Sequence, residues 1–90
     1  LAEDADGNAL LVFSRSPYPM HVFNEILLAL PLDVVAAQHL EGGPEAQLLF
    51  RPPTGDTTYV WMGSYETAFY EDDSNRDIWP IPNVLVFAPR

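Results

Sequence analysis

Residues 16–31 read SPYPMHVFNEILLALP and carry the clearest structural pattern in the chain. Four apolar residues follow the helical spacing i, i+3, i+4, i+7: Phe23, Ile26, Leu27 and Leu30. The opposite side of the same helix consists of His21, Asn24, Glu25 and Leu28. Ser16 is a suitable N-cap, a proline is tolerated in the first turn, and Pro31 ends the pattern. We therefore predict one amphipathic helix over about 17–30.

Segments on both sides of this helix have the length and composition of strands. They are 9–13 (ALLVF), 33–40 (DVVAAQHL), 46–51 (AQLLFR), 57–62 (TTYVWM), 65–70 (YETAFY) and 83–88 (NVLVFA). Helix is an alternative for 33–40, where Asp33 precedes two alanines, and for 65–70. We favour a strand at 33–40 because the turn EGGPE at 41–45 would let 46–51 pair back against it.

The order of these elements predicts an α+β fold of the form β-α-β-β-β-(β)-β. One helix packs on a mostly antiparallel sheet of 4–6 strands. The chain has the length of a single domain, 1–90, and its first eight residues, LAEDADGN, are expected to form an acidic N-terminal arm.

One helix is too small to cover the apolar surface that these strands present. A helix of about 13 residues is roughly 20 Å long and covers two or three strands on one face. The segments 9–13, 57–62 and 83–88 are apolar on both faces. Their second face must be covered by curling of the sheet, by the stiff segment Trp79–Pro82, or by another chain.

The composition excludes several functions. The chain has 13 acidic residues and only four arginines, a net charge of −9, so it cannot neutralise a run of phosphates and we expect no nucleic-acid binding. The charge is concentrated, because 1–8 and 71–77 each carry −3 and the other 75 residues together carry −3. No apolar run is long enough to span a membrane. The absence of cysteine excludes disulfides, cysteine-ligated metals and a thiol nucleophile.

Few side chains have a spacing that favours catalysis or metal binding. Residues 4–8 (DADGN) begin like a calcium loop, but Ala9 and Arg15 stand where that loop needs glycine and glutamate. The acidic segment 71–77 is better explained as a solvated loop than as a cation site. His21 and Glu25 lie one helical turn apart and form a minimal general-base pair, which we interpret as an ordinary surface pair. His39 has no evident partner. We expect no cofactor and no metal.

The leading hypothesis is a non-catalytic protein-interaction or regulatory domain that binds a protein partner, with a second copy of the chain as one candidate. Five residues of its second half are the expected contacts: Tyr59, Trp61, Tyr65, Trp79 and Ile81. The alternatives are a small acidic inhibitor that mimics nucleic acid, and a ligand-binding or enzymatic domain that uses His21 and Glu25. The chain begins at Leu1 and not at methionine, so we expect that it was cut or processed, with removal of a signal peptide as one explanation. We slightly favour a cytoplasmic location, and a processed exported protein is the alternative.

Overall fold

The computed structural model describes residues 1–65 and 72–90, and it confirms the α+β class. The described elements are β1 (Ala2–Asp4), β2 (Ala9–Leu10), α1 (Met20–Ala29), β3 (Val34–Ala37), β4 (Gln47–Phe50) and β5 (Tyr59–Met62). A short 3-10 helix, Gly43–Glu45, precedes β4. The strands form two antiparallel sheets, β2-β1-β3 and β4-β5, instead of the one larger sheet that we predicted.

Residues 2–4 of the expected N-terminal arm form β1, the central strand of the three-stranded sheet. The prediction of a separate arm at 1–8 is therefore wrong. Ala2 pairs with Leu10 of β2 on one side and with Ala37 of β3 on the other. Gly7 adopts a positive φ of 82°, which closes a tight turn between β1 and β2. An acidic start that ends in turn-forming residues is typical of a solvated arm, but Ala2 in this segment is buried.

Helix α1 begins at Met20, three residues later than predicted, and Ser16 does not cap it. Pro19 stands at the N-cap position, and a proline disfavours helical geometry at the residue before it, so Tyr18 stays outside the helix. The buried side of the helix also differs from the predicted stripe. Leu27 is buried and Phe23 half-buried, whereas Ile26 and Leu30 are exposed.

A strand at 33–40 is confirmed over the helical alternative, but the pairing predicted for it is wrong. β3 pairs with β1, and β4 pairs with β5 across the loop 51–58. Residues 43–45 form the 3-10 helix and not a hairpin turn, which directs β4 away from β3. Gly63 passes close to this point, since a Cβ built on it would lie 1.8 Å from the carbonyl oxygen of Gly43. Only glycine fits at that crossing.

Two further predicted strands are shortened or missing. The segment 9–13 is a strand only over Ala9–Leu10. The segment 83–88 forms no strand ladder with any described residue. Pro82 and Pro89, which lack an N–H, stand at its two ends. The prediction for 65–70 lies outside the described residues except for Tyr65.

The described part of the chain buries little apolar surface. Ala2 and Leu27 are its only buried apolar side chains. Large apolar residues of α1, β3, β4 and β5 are exposed. The surplus of apolar strand surface that the sequence indicated is therefore present in the folded chain as exposed surface.

Candidate functional site

The β4–β5 hairpin presents a row of exposed aromatic rings. In its register Leu48 lies opposite Trp61 and Phe50 lies opposite Tyr59, so these four side chains share one face of the ribbon. Phe50 stacks on Tyr59 with ring centroids 6.3 Å apart, and Tyr59 stacks on Trp61 at 6.0 Å. We call Phe50, Tyr59 and Trp61 the aromatic face.

The aromatic face is open to solvent. The exposed fractions of Phe50, Tyr59 and Trp61 are 52%, 46% and 42%. A fully covered aromatic side chain buries about 150–250 Å² of surface. Because each of the three rings is about half exposed, together they leave roughly 300 Å² of contiguous apolar surface open to solvent. The largest apolar patch on an ordinary soluble monomer covers about 300–600 Å² and often marks a contact site, so the aromatic face lies at the lower end of that range.

A second aromatic pair lies at the open end of the hairpin. Tyr65 and Trp79 meet edge to face with centroids 6.1 Å apart. The side-chain amide of Gln47 donates to the carbonyl oxygen of Trp79 at 2.7 Å, and Ile81 beyond it is half-buried. This hydrogen bond joins Trp79 to the start of β4. Trp79 begins the segment Trp79–Pro82, which was one of the three candidates for covering the sheet.

Four of the five predicted contact residues thus fall into two groups, and the fifth, Ile81, is half-buried and makes no ring contact. Tyr59 and Trp61 belong to the aromatic face, whereas Tyr65 and Trp79 form the separate pair at the other end of the hairpin. Sequence reasoning missed Phe50, which completes the stack. The signal for it was the alternation of Leu48 and Phe50, which becomes informative once β4 is known to pair with β5.

A network centred on Arg15 holds the base of the hairpin, and no local pattern of residues indicates it. The Arg15 guanidinium binds the carboxylate of Asp73, with Nε 2.6 Å from Oδ1. It also donates to the carbonyl oxygens of Met62 at 2.7 Å, Asn75 at 2.9 Å and Asp73 at 3.1 Å. One planar group therefore joins three chain segments, which a lysine could not do with the same geometry. We call this network the Arg15 clamp.

The buried member of the clamp is Asn75, which is 1% exposed. Its Nδ2 donates to the carbonyl oxygen of Gly63 at 2.7 Å, and its Oδ1 accepts from the N–H of Asp77 at 3.2 Å. The hydroxyl of buried Ser64 donates to the carbonyl oxygen of Arg15. The acidic loop is thus partly structural, although we had predicted a solvated segment.

Asp4 has a structural role too. Its Oδ1 accepts from the N–H groups of Asp6 and Asn8 at 3.0 and 2.8 Å, and its Oδ2 accepts from Nδ2 of Asn8 at 2.9 Å. The Asn8 side-chain hydrogen bond, followed by the backbone ones, lowers the pKa of the Asp4 carboxyl. This carboxylate closes the β1–β2 turn. Within residues 1–65 and 72–90, no group of three acidic or histidine side chains is placed to hold a metal ion.

A half-open cavity of about 310 Å³ lies beside α1. Its apolar lining comes mainly from the segment 12–18 and the buried side of the helix, including Phe13, Met20, Phe23 and Leu27. His39 also lines it. His21 and Glu25 are exposed on the opposite side of α1, outside this cavity.

Comparisons of the chain with protein-family models, with curated proteins and with solved structures each found no match. In the described part of the chain, no helix has the length and apolar character needed to cross a membrane.

Proposed function

We propose that this chain is a non-catalytic protein-interaction domain whose contact surface is the aromatic face of the β4–β5 hairpin. The observation that supports the proposal is the stack of three rings, each between two-fifths and about half exposed, on a surface strand pair. Tryptophan and tyrosine dominate the energetically important centres of protein interfaces. Two of the three rings are of these types.

The size of the aromatic face indicates what else the interface must contain. Covering roughly 300 Å² contributes about 7 kcal/mol before the costs of association, which are of similar size. A stable interface buries about 800 Å² on each partner. The aromatic face is therefore the centre of the contact, and an apolar residue on the same side of the ribbon, Leu48, supplies part of its surroundings.

The charge of the chain indicates the kind of partner. A net charge of −9 repels other acidic proteins and accelerates encounters with basic ones. The partner that fits best is a protein with net positive charge and an apolar pocket wide enough for an indole ring. Arg51 is adjacent to the aromatic face in sequence, and it pairs with an acidic group on such a partner.

Two observations make the alternatives less well supported than this proposal. A mimic of nucleic acid needs carboxylates spread over one surface, whereas Asp73 is bound by Arg15 and Asp4 closes a turn. An enzymatic use of His21 and Glu25 needs a pocket around them, and both side chains lie on the exposed side of α1.

The proposal is tested by immobilising the wild-type chain and two variants in parallel and capturing partner proteins on each. Trp61→Ala removes the end ring of the stack, and Leu28→Ala removes an apolar side chain that is 69% exposed on α1. A partner protein should be retained by wild type and Leu28→Ala but lost by Trp61→Ala. Circular dichroism and the thermal midpoint of each variant establish that the loss is not due to unfolding.

The retained protein is then identified, purified and titrated by calorimetry. We expect Trp61→Ala to weaken its affinity by about 30-fold, a loss typical of a central interface tryptophan, and Leu28→Ala to change it by less than about twofold. If every captured protein binds Trp61→Ala as tightly as wild type, the aromatic face is not the contact surface.

A further inference from the structure

The β4–β5 hairpin forms a sheet of two strands, so each strand has one outer edge. In an antiparallel pair, the backbone groups of successive residues point alternately at the partner strand and away from it. The N–H of Gly63 donates to the carbonyl oxygen of Ala46 at 2.9 Å, which fixes this alternation. Continued along the register, it directs the backbone N–H and C=O of Leu48 toward β5 and those of Gln47 and Leu49 outward.

The outer edge of β5 is partly occupied, whereas the outer edge of β4 is open. On β5, the outward carbonyl oxygen of Met62 accepts a hydrogen bond from Arg15 at 2.7 Å, and Val60 is half-buried. On β4, the outward backbone groups of Gln47 and Leu49 make no hydrogen bond with any residue in 1–65 or 72–90, and Leu49 is 63% exposed. β4 therefore presents two outward donor–acceptor sets, roughly 7 Å apart, that no described segment uses.

The neighbouring residues limit the length of this edge. At its start, the N–H of Ala46 is already bound to the carbonyl oxygen of Gly43 at 3.1 Å. At its end, Pro52 has no N–H to donate. The open edge therefore consists of residues 47–51, which we call the β4 edge. Residues 47–50 contain no charge and no proline, which are the features that commonly protect an exposed edge from pairing.

The chemistry of the β4 edge specifies its occupant. Outward N–H and C=O groups are satisfied by the backbone of another extended segment, which adds as a third strand. Acidic residues stand on both sides of the edge in sequence, Glu45 in the 3-10 helix before β4 and Asp56 in the loop after it. Both are exposed, and neither carboxylate has an ion pair with another described residue. Arg51 offsets one of these charges, but the whole chain carries −9, so a basic segment is favoured over an acidic one.

We propose that the partner of this chain contributes an extended basic segment that adds to β4 as a third strand. The proposal rests on the proposed function, because the added strand belongs to the protein that contacts the aromatic face. Side chains on one side of the added strand lie beside Leu48 and Phe50, and so continue the apolar row of the ribbon. The backbone hydrogen bonds supply affinity, and the alternating side chains of the segment supply specificity.

A display library of short random peptides, used as the probe against the immobilised full chain, tests the proposal. We expect the selected peptides to be basic and to alternate apolar and polar residues. Leu49→Pro removes the outward N–H and leaves the hydrogen bonds between β4 and β5 in place, so it should weaken a selected peptide on the order of tenfold. Leu49→Thr is the matched control, because it changes the side chain and keeps the N–H. It should bind the peptide within about twofold of wild type.

Amide hydrogen exchange of the wild-type chain, followed by NMR with a selected peptide bound, locates the added strand without any substitution. The N–H of Leu49 should become protected, while the outward N–H of Val60 on β5 should keep its exchange rate. Protection of Leu49 that rises with the concentration of the chain alone would identify a second copy as the occupant and overturn the proposal.

The proposal is also overturned if no peptide is selected, if the selected peptides are acidic, or if Leu49→Pro and Leu49→Thr bind them equally. Protection at Val60 and not at Leu49 would overturn it as well. These failures are distinct from failure of the proposed function, which is measured with the captured partner protein and Trp61→Ala. A partner that is lost by Trp61→Ala but bound equally by wild type and Leu49→Pro would leave the aromatic face as the contact surface and exclude the added strand.

Discussion

The Asp4 carboxylate organises the turn that joins β1 to β2. It accepts two backbone N–H groups and the side-chain amide of Asn8. Because these bonds favour the charged form, the pKa of Asp4 is lower in the folded chain than in the unfolded chain. The stability that it contributes is fully present above the unfolded-state pKa and is lost as pH falls through the lowered folded-state value.

Asp4→Asn should therefore reduce the loss of stability between about pH 5 and pH 2. Asparagine keeps an acceptor for the backbone N–H groups but carries no charge to titrate. Urea unfolding at several pH values in this range measures the effect. The control is Asp6→Asn, because the Asp6 carboxylate makes no hydrogen bond with other described residues. This variant should lose stability with falling pH as the wild type does. If Asp4→Asn keeps it as well, the turn does not depend on the charged carboxylate.

Single residues also show where sequence reasoning reached its limit. The segment 4–8 does not continue with the residues of a calcium loop, because Ala9 and Arg15 stand where that loop needs glycine and glutamate. Its role as a hairpin turn was missed, since an acidic and turn-rich start equally fits a solvated arm. Arg15 contacts a residue 58 positions away, and no local pattern can indicate such a contact.

At the scale of elements, the Arg15 clamp joins the end of β5 to the segment 72–77. Arg15→Lys keeps the charge but removes the planar fork that contacts Met62, Asp73 and Asn75 together. We expect a loss of about 1–2 kcal/mol in the free energy of unfolding. The ion pair contributes little of this, because Asp73 is half-exposed.

Urea unfolding of Arg15→Lys beside Arg51→Lys measures this loss. Arg51 is exposed and makes no hydrogen bond or ion pair within the described residues, so its replacement should change stability by less than about 0.5 kcal/mol. Equal stability of the two variants would mean that the clamp does not hold the hairpin base.

Element types were predicted better than element partners. The helix and the strands containing β3, β4 and β5 follow from periodicity and composition. The separation into two sheets does not, because it depends on the 3-10 helix at Gly43–Glu45 and on the close approach of Gly63 to Gly43. The aromatic face was predicted in part for the same reason: Tyr59 and Trp61 were identified within one strand, whereas Phe50 required the pairing.

For the whole molecule, the net charge of −9 should accelerate association with a basic partner. Salt screens this attraction, so the association rate at the aromatic face should fall on the order of tenfold from low to high salt. Surface plasmon resonance over a salt series measures the effect. An association rate that does not change with salt would contradict this account of the charge.

The central claim is that the aromatic face binds a protein, and a calorimetric titration of the identified partner tests it most directly. The account predicts that Trp61→Ala binds about 30-fold more weakly than wild type, while Leu28→Ala stays within about twofold. Equal affinities for wild type and a folded Trp61→Ala would contradict the claim.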